Sequence, residues 1–388
     1  MERLEIRNRK SEIGNRGRCT QALSLGVLIA LLGWLICGCA GLGSTEPVVK
    51  IGLVAPFEGL HRHLGYDVLY AVKLAVRERN TAGGVSGYMV ELVALDDGND
   101  PARAPLQARK MIVDADVMGV IGHFSDETAL AAVDEYHWAG LALITQVAAN
   151  AVTERGYPEV FRLYARNDLL GMEAARYIVE ELGMHRLAVL RSRDDPSGRA
   201  SGRSLAEAFI KTAESLGATV VLDADASFTL HVSRFTSVDL VFFSGGAAEG
   251  AELMAQARRA GIEAAFMGGS ELGEAQFVQI GGEAVRGTLY ITAAPRVEGL
   301  VNAGDFVAGY QALAGRLPGP QAILVYDATR VLLEALARAI ESQGRPARDA
   351  VIAELGALQG YPGLLGPIAF DDKGDLVAPK MYVYRIEF

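Results

Sequence analysis

The sequence predicts an α/β protein made of two successive sets of strand–helix units. Short apolar runs alternate with helical patterns from residue 48 to the end of the 388-residue chain. The runs are continuously apolar, which is typical of parallel strands buried on both faces. A single sheet holding all of these strands would be very large, so two doubly wound lobes are predicted instead.

The first set alternates regularly, with each helical pattern beginning soon after a strand ends. Strands are predicted over residues 48–57, 88–97, 117–124 and 141–147, and helices over 65–80, 101–113 and 126–138. Asp100 is predicted to cap the second of these helices, because its side chain can accept the free amides of a first turn.

The second set repeats the alternation and ends differently. Strands are predicted over 161–164, 187–191, 219–222, 239–244, 264–267 and 287–292, with helices over 169–182, 205–216, 249–260, 276–280, 303–313, 321–340 and 348–358. The last residues are predicted to form a hairpin of strands 366–370 and 380–386, with a turn at 371–374.

The first forty residues have the pattern of an export signal. Residues 1–18 carry six basic and three acidic groups, and residues 19–45 carry no charge. The segment 35–40, Leu-Ile-Cys-Gly-Cys-Ala, resembles the bacterial lipoprotein processing box. We therefore expect removal of residues 1–38, a lipid on Cys39 and a tether over 39–47. An uncleaved membrane anchor is the alternative, and both place the remaining chain outside the cytoplasmic membrane.

Composition and motifs exclude several classes of function. The net charge of −10 and the absence of a basic block disfavour nucleic-acid binding. No phosphate loop, dinucleotide fingerprint or zinc-protease helix is present, and no cofactor or metal is predicted.

His61 and His63 are either a metal pair or part of an exposed loop. The pair Asp96-Asp97 suggests acid/base work or cation binding, or else a turn with a helix cap. His123 is predicted to be buried and hydrogen-bonded. The chain is not predicted to be an enzyme.

Several motifs together resemble one family. Residues 96–101 read D-D-G-N-D-P, residues 120–124 read V-I-G-H-F, and residues 366–371 read G-P-I-A-F-D. In this order and spacing they are similar to landmarks of the extracytoplasmic solute-binding proteins of ABC transporters, in the branched-chain amino-acid (Leu/Ile/Val)-binding family. The resemblance extends over about residues 48–386.

The resemblance implies the type I periplasmic binding protein fold, with two lobes joined by three crossovers and a ligand cleft between them. It implies a first lobe of residues 48–163 and 294–362, and a second of 164–293 and 363–388. It further implies capture of an amino acid or related small solute for delivery to an ABC permease. A lipid on Cys39 would keep such a protein at the membrane, near that permease.

The resemblance also places the ligand contacts, and there the sequence departs from the family. The contact positions are Leu64, Phe124, Ser125, Asp126, Val147, Ala148, Ala149, Ser197, Gly246 and Ser270. Asp126 and Ala149 stand where the family has hydroxyls that bind the ligand carboxylate. Leu64, Ser197 and Gly246 stand at aromatic positions, and Ser270 stands where an acidic residue binds the ligand ammonium.

These departures leave alternatives open. Asp126 either repels a ligand carboxylate, or caps its helix and leaves Ser125 and the backbone to bind. We hypothesise that the ligand is not a simple branched-chain amino acid, and that a larger, less charged or cationic solute suits Asp126, Ala149 and Gly246 better. A sensing module that signals to a membrane partner, and a structural lipoprotein that has lost binding, are the competing functions.

Overall fold

The chain folds around two sheets, one for each predicted set of strand–helix units. The computed structural model describes residues 46–192, 198–226 and 237–388. The predicted signal segment 1–38, Cys39 and Ser197 lie outside the described residues. Within the described ranges, no helix is both long enough and apolar enough to cross a membrane.

The first set follows the predicted alternation closely. Its strands are β1 (Val48–Ala55), β2 (Met89–Asp96), β3 (Val117–Ile121), β4 (Ala142–Thr145) and β5 (Val160–Arg162), and its helices are α1 (Arg62–Thr81), α2 (Ala104–Val113), α3 (Asp126–Trp138) and α4 (Ala151–Glu154). Every residue of β3 and β4 is buried, as the continuous apolar runs predict.

The second set begins with α5 (Asn167–Arg176), which continues as a π-helical turn over Tyr177–Glu181. Its strands are β6 (Arg186–Arg191), β7 (Thr219–Asp225), β8 (Leu240–Ser244), β9 (Ala265–Gly268) and β10 (Leu289–Thr292), and its helices are α6 (Gly198–Ser215), α7 (Ala247–Arg259) and α8 (Ala275–Gly281). The remaining elements are α9 (Gly304–Ala314), α10 (Pro320–Gln343), α11 (Arg348–Gly356), β11 (Tyr361–Gly363), β12 (Gly366–Ile368) and β13 (Tyr382–Arg385).

Both large sheets have the strand order of doubly wound folds. The first runs β2–β1–β3–β4–β5 with all strands parallel, and the second runs β13–β10–β9–β8–β6–β7. In the second sheet only β13 is antiparallel to its neighbour. The predicted α/β fold with two lobes is confirmed.

The chain passes between the sheets three times. It leaves the first sheet after β5. It returns after β10, where α10 packs against α1 and the first sheet in one apolar core. It crosses again before β13, which joins the second sheet. The exact residue boundaries of the two lobes stay a prediction.

Two local predictions are wrong. The last strands do not pair with each other, because β12 pairs with β11 and β13 pairs with β10. The turn at residues 371–374 does form, closed by the Gly374 amide on the Asp371 carbonyl. Asp100 is not the helix cap, since α2 begins only at Ala104 and the Asp100 carboxylate accepts the Ala102 amide in the preceding turn.

A buried carboxylate joins three helical segments of the first lobe. Asp67 of α1 is only 7% exposed, and it accepts hydrogen bonds from the Tyr310 hydroxyl at 2.8 Å, the Gly319 amide at 3.0 Å and the Ala322 amide at 3.3 Å. Its Oδ1 also lies 3.2 Å from the Arg316 guanidinium. The carboxylate thus accepts hydrogen bonds from amides at the start of α10 and joins α1 to the beginning of this helix.

We expect Asp67→Ala to lower the free energy of unfolding by about 1–3 kcal/mol, because it removes the carboxylate that accepts from the buried Tyr310 hydroxyl and from the Gly319 amide. Asp372→Ala is the matched control: Asp372 is exposed, and its loss should change stability by less than about 0.5 kcal/mol. Urea unfolding of the full chain and both variants measures the difference. Equal losses in the two variants would contradict the role assigned to Asp67.

Candidate functional site

The carboxyl ends of the parallel strands bring some of the predicted contact residues together, namely Asp126, Ala148 and Ala149. Helix α3 begins directly after β3, and it contacts α6 of the second lobe. The charge of Asp126, at the start of α3, acts on Glu271, which follows β9. Side chains from both lobes therefore meet at the strand ends, which is where open α/β sheets bind ligands.

The first turn of α3 is held by Ser125 rather than by Asp126. Ser125 is the N-cap, and its hydroxyl accepts the Thr128 amide while the Thr128 hydroxyl accepts the Ser125 amide. This reciprocal pair is a capping box. The Ser125 hydroxyl is thus engaged within its own helix, and the alternative in which Asp126 caps the helix is wrong.

Asp126 instead reaches across to the end of the next strand. Its Oδ1 accepts hydrogen bonds from the Ala148 and Ala149 amides, each at 3.0 Å. The two amides lie in the segment after β4, where the resemblance places contacts at Val147, Ala148 and Ala149. Each of these three residues is at most 7% exposed. Their side chains therefore pack in the cores, and the polar groups of these three residues are those of the backbone.

A buried arginine donates hydrogen bonds to the carbonyls of the same segment. Arg162 is fully buried and donates to the Ala148 carbonyl at 2.9 Å, the Ala149 carbonyl at 2.8 Å and the Thr153 hydroxyl at 2.7 Å. Its Nε lies 3.0 Å from Oδ1 of Asp375. Burial lowers the pKa of Arg162, and the nearby carboxylates counter that effect.

Glu271 is a candidate site residue that the contact positions did not include. Burial raises the pKa of its carboxyl group to about 7, and the negative charges of Asp126 and Glu274 add to the effect. Its neighbour Ser270 hydrogen-bonds to it and to Tyr164. The sequence signal was a carboxylate one position beyond the family's ammonium-binding position.

Tyr164 joins this group to the crossovers. Its buried hydroxyl lies 2.8 Å from the Thr292 Oγ1 and accepts the Ala293 amide at 3.3 Å. Burial raises the pKa of this phenol, so it stays protonated and can donate.

Leu64 and Gly246, which stand at two positions where the family has aromatic residues, lie in different surroundings. Leu64 lies in the first turn of α1, half-buried, and packs against the first core, as does Phe124. Gly246 is the exposed N-cap of α7, and a Cβ built there would meet no atom within 4 Å. The space beside Gly246 is therefore open to a larger side chain or to a solute.

The acidic pair and His123 serve the loops beside the site. Asp96 accepts the Phe57 amide at 2.7 Å and is paired with Arg103 at 2.8 Å. Asp97 Oδ2 lies 2.6 Å from His123 Nδ1, and Nε2 of that ring lies 3.2 Å from the Tyr136 hydroxyl. The prediction of a buried, hydrogen-bonded His123 is confirmed, and the acidic pair organises turns.

Burial and the nearby His63 lower the pKa of His61, which favours its neutral form. Within the described ranges, no group of three His, Cys, Asp or Glu side chains could hold a metal ion.

A separate cavity of about 330 Å³ lies beside the crossovers. Apolar side chains such as Leu163, Leu324 and Leu376 line most of it, with Lys380 as its charged member. The predicted ligand contacts lie elsewhere, at the strand ends.

The raised pKa of Glu271 has a definite consequence for stability. The folded protein holds the Glu271 proton more tightly than the unfolded chain, whose ordinary value is 4.5. The stabilising contribution is therefore complete below about pH 4.5 and is lost as the pH rises through about 7. Burial and the charges of Asp126 and Glu274 disfavour ionisation of this carboxyl group, and together they outweigh the hydrogen bonds from Ser270 and from the Glu271 amide that favour it.

We expect Glu271→Gln to be more stable than the parent chain by about 1–3 kcal/mol near pH 8, and equal to it near pH 4.5. Urea unfolding across this pH range measures the difference. The exposed Glu181→Gln is the control and should show no such pH dependence. A constant offset at every pH would show that Glu271 does not titrate near neutrality.

Comparison with known proteins gives the family context. A family model described as "Periplasmic binding protein" matches residues 48–387. The leucine-, isoleucine-, valine-, threonine-, and alanine-binding protein of Pseudomonas aeruginosa is 29% identical over 90% of this chain and 93% of its own length. The Leu/Ile/Val-binding protein of Escherichia coli strain K12 is 27% identical over 88% of this chain and 93% of its own length.

Solved structures agree with the fold. The crystal structure of a leucine binding protein from Thermotoga maritima has a TM-score of 0.75 and 27% sequence identity, covering 88% of this chain and 96% of that one. A solute binding protein from R. palustris, in complex with benzoate, has a TM-score of 0.70 at 19% identity, covering 88% and 93%. The second likeness shows the shared fold alone.

Proposed function

We propose that this chain, which belongs to the periplasmic binding protein family, is the substrate-binding component of an ABC importer. It captures an amino acid or related small solute between its lobes and delivers it to the permease. The match of the family model over residues 48–387, which span both sheets, carries the proposal. Relatives named for the binding of leucine, isoleucine and valine support it.

The arrangement at the strand ends suits capture by closure. Ser125 and Asp126 belong to the first lobe, Ser270 and Glu271 to the second, and Tyr164 to the crossover between them. A solute that contacts both groups stabilises the closed arrangement, since it gains contacts from both lobes only when they meet. Closure excludes water and presents a defined surface to the permease.

Proteins of this family are solute-binding proteins, so no catalytic step is assigned to these side chains. Asp126, Glu271 and Tyr164 act through their positions and charges, and we assign them a role in recognising the solute. We place the chain outside the cytoplasmic membrane, as its family membership supports.

The transport role predicts a bound solute. Mass spectrometry of the full chain purified from its native membrane should detect a co-purifying small solute. Deleting the gene should abolish high-affinity uptake of that solute, and restoring it should recover uptake. A solute that binds tightly while its uptake is unchanged by the deletion would contradict transport and favour a sensing module.

We further propose that Cys39 carries a lipid after removal of residues 1–38. The full chain should then partition into the detergent phase of a phase-separating detergent, and Cys39→Ser should abolish cleavage and lipid attachment. Cys37→Ser is the matched control, two residues away, and should be processed normally. Lipid labelling that survives in Cys39→Ser would refute the assignment.

A further inference from the structure

The Asp126 carboxylate fills a position that a bound carboxylate would fill. Two successive backbone amides, from Ala148 and Ala149, converge on one of its oxygens at 3.0 Å. Paired amides at a strand end favour a negatively charged oxygen. Here that oxygen comes from the chain itself, from a residue 22 positions away.

The carbonyls of Ala148 and Ala149 also have partners within the protein. The Ala148 carbonyl accepts from Arg162 and from the Asn167 amide at 2.9 Å, and the Ala149 carbonyl accepts from Arg162 and from the Val152 amide at 3.2 Å. Both amides and both carbonyls of the dipeptide are therefore paired within the protein. A solute carboxylate could bind these amides only by displacing Asp126.

Displacement is unfavourable on charge as well as on geometry. The Arg162 guanidinium acts favourably on Asp126, but it is also paired with Asp375. From the second lobe, the Glu271 carboxyl group interacts unfavourably with the charge of Asp126. A second carboxylate brought to this point would be repelled by its neighbours and would lose its hydration.

We propose that Asp126 is the specificity-determining residue of the cleft, acting as a built-in replacement for a solute carboxylate. The cleft thereby selects small solutes that bear an ammonium or hydroxyl donor and lack a carboxylate at this position. This inference rests on the proposed function and deepens it. It distinguishes the chain from relatives named for binding leucine, isoleucine and valine.

Leucine and leucinol are the matched probes. Leucinol keeps the ammonium and the isobutyl group of leucine and replaces the carboxylate by a hydroxymethyl group. Titration calorimetry with the full chain, near pH 7.5, should give a Kd for leucinol at least about tenfold below that for leucine. Equal or tighter binding of leucine by the parent chain would overturn the inference.

Asp126→Ser frees the two amides and should invert the preference, tightening leucine by about tenfold or more. Asp126→Asn keeps an oxygen that accepts from both amides and removes only the charge, so leucine should stay weak. Leucine binding gained equally in both variants would show that charge, and not occupation of the amides, sets specificity. Thermal unfolding of each variant confirms that it is folded.

Failure of this inference is separable from failure of the proposed function. If no variant takes either probe, the assignment of Asp126 is overturned, while a co-purifying solute and its uptake still support transport. If uptake of every solute is independent of the gene, the transport role fails, whatever the two probes show.

Discussion

The architecture of the site depends on one buried guanidinium. Arg162, at the end of β5, holds the carbonyls of Ala148 and Ala149, the Thr153 hydroxyl and the carboxylate of Asp375. These partners come from the end of one strand, a short helix and a segment more than two hundred residues later. A buried charge is tolerated only when it is paired and hydrogen-bonded, so the three segments are fixed together. The amides that face Asp126 are fixed with them.

This network changes the charge that the strand end presents to the cleft. Parallel strands and the helices that follow them present amides, which attract anions. In this chain the amides at 148 and 149 are covered by the Asp126 carboxylate, and a second carboxyl group at Glu271 stands across the cleft. The fold is that of the family, and under our proposal this strand end presents carboxyl groups to a solute.

Local sequence patterns were sufficient for most elements and insufficient for their distant partners. Continuous apolar runs predicted β3, β4, β8 and β10, because a strand buried on both faces needs apolar residues at successive positions.

The partner of β13 could not be predicted, because pairing with β10 depends on a fold in which residues about ninety positions apart are adjacent. The same reason explains Asp126, whose hydrogen-bond partners lie on a different strand end, and Glu271, whose raised pKa arises from burial and from the opposite lobe. The bounds of α3, by contrast, were predicted to the residue, although its capping box of Ser125 and Thr128 was not predicted.

The return of α10 to the first sheet has a consequence for how the protein is made. The strands of that sheet are complete by residue 162, yet the helix that covers much of its apolar face spans residues 320–343. A chain emerging from its N-terminus therefore carries an unfinished apolar surface while the five parallel strands of the second sheet, β6 to β10, are synthesised or translocated. Such a delay favours keeping the polypeptide extended until it has crossed the membrane, and it makes completion of the first lobe a late, long-range event in folding.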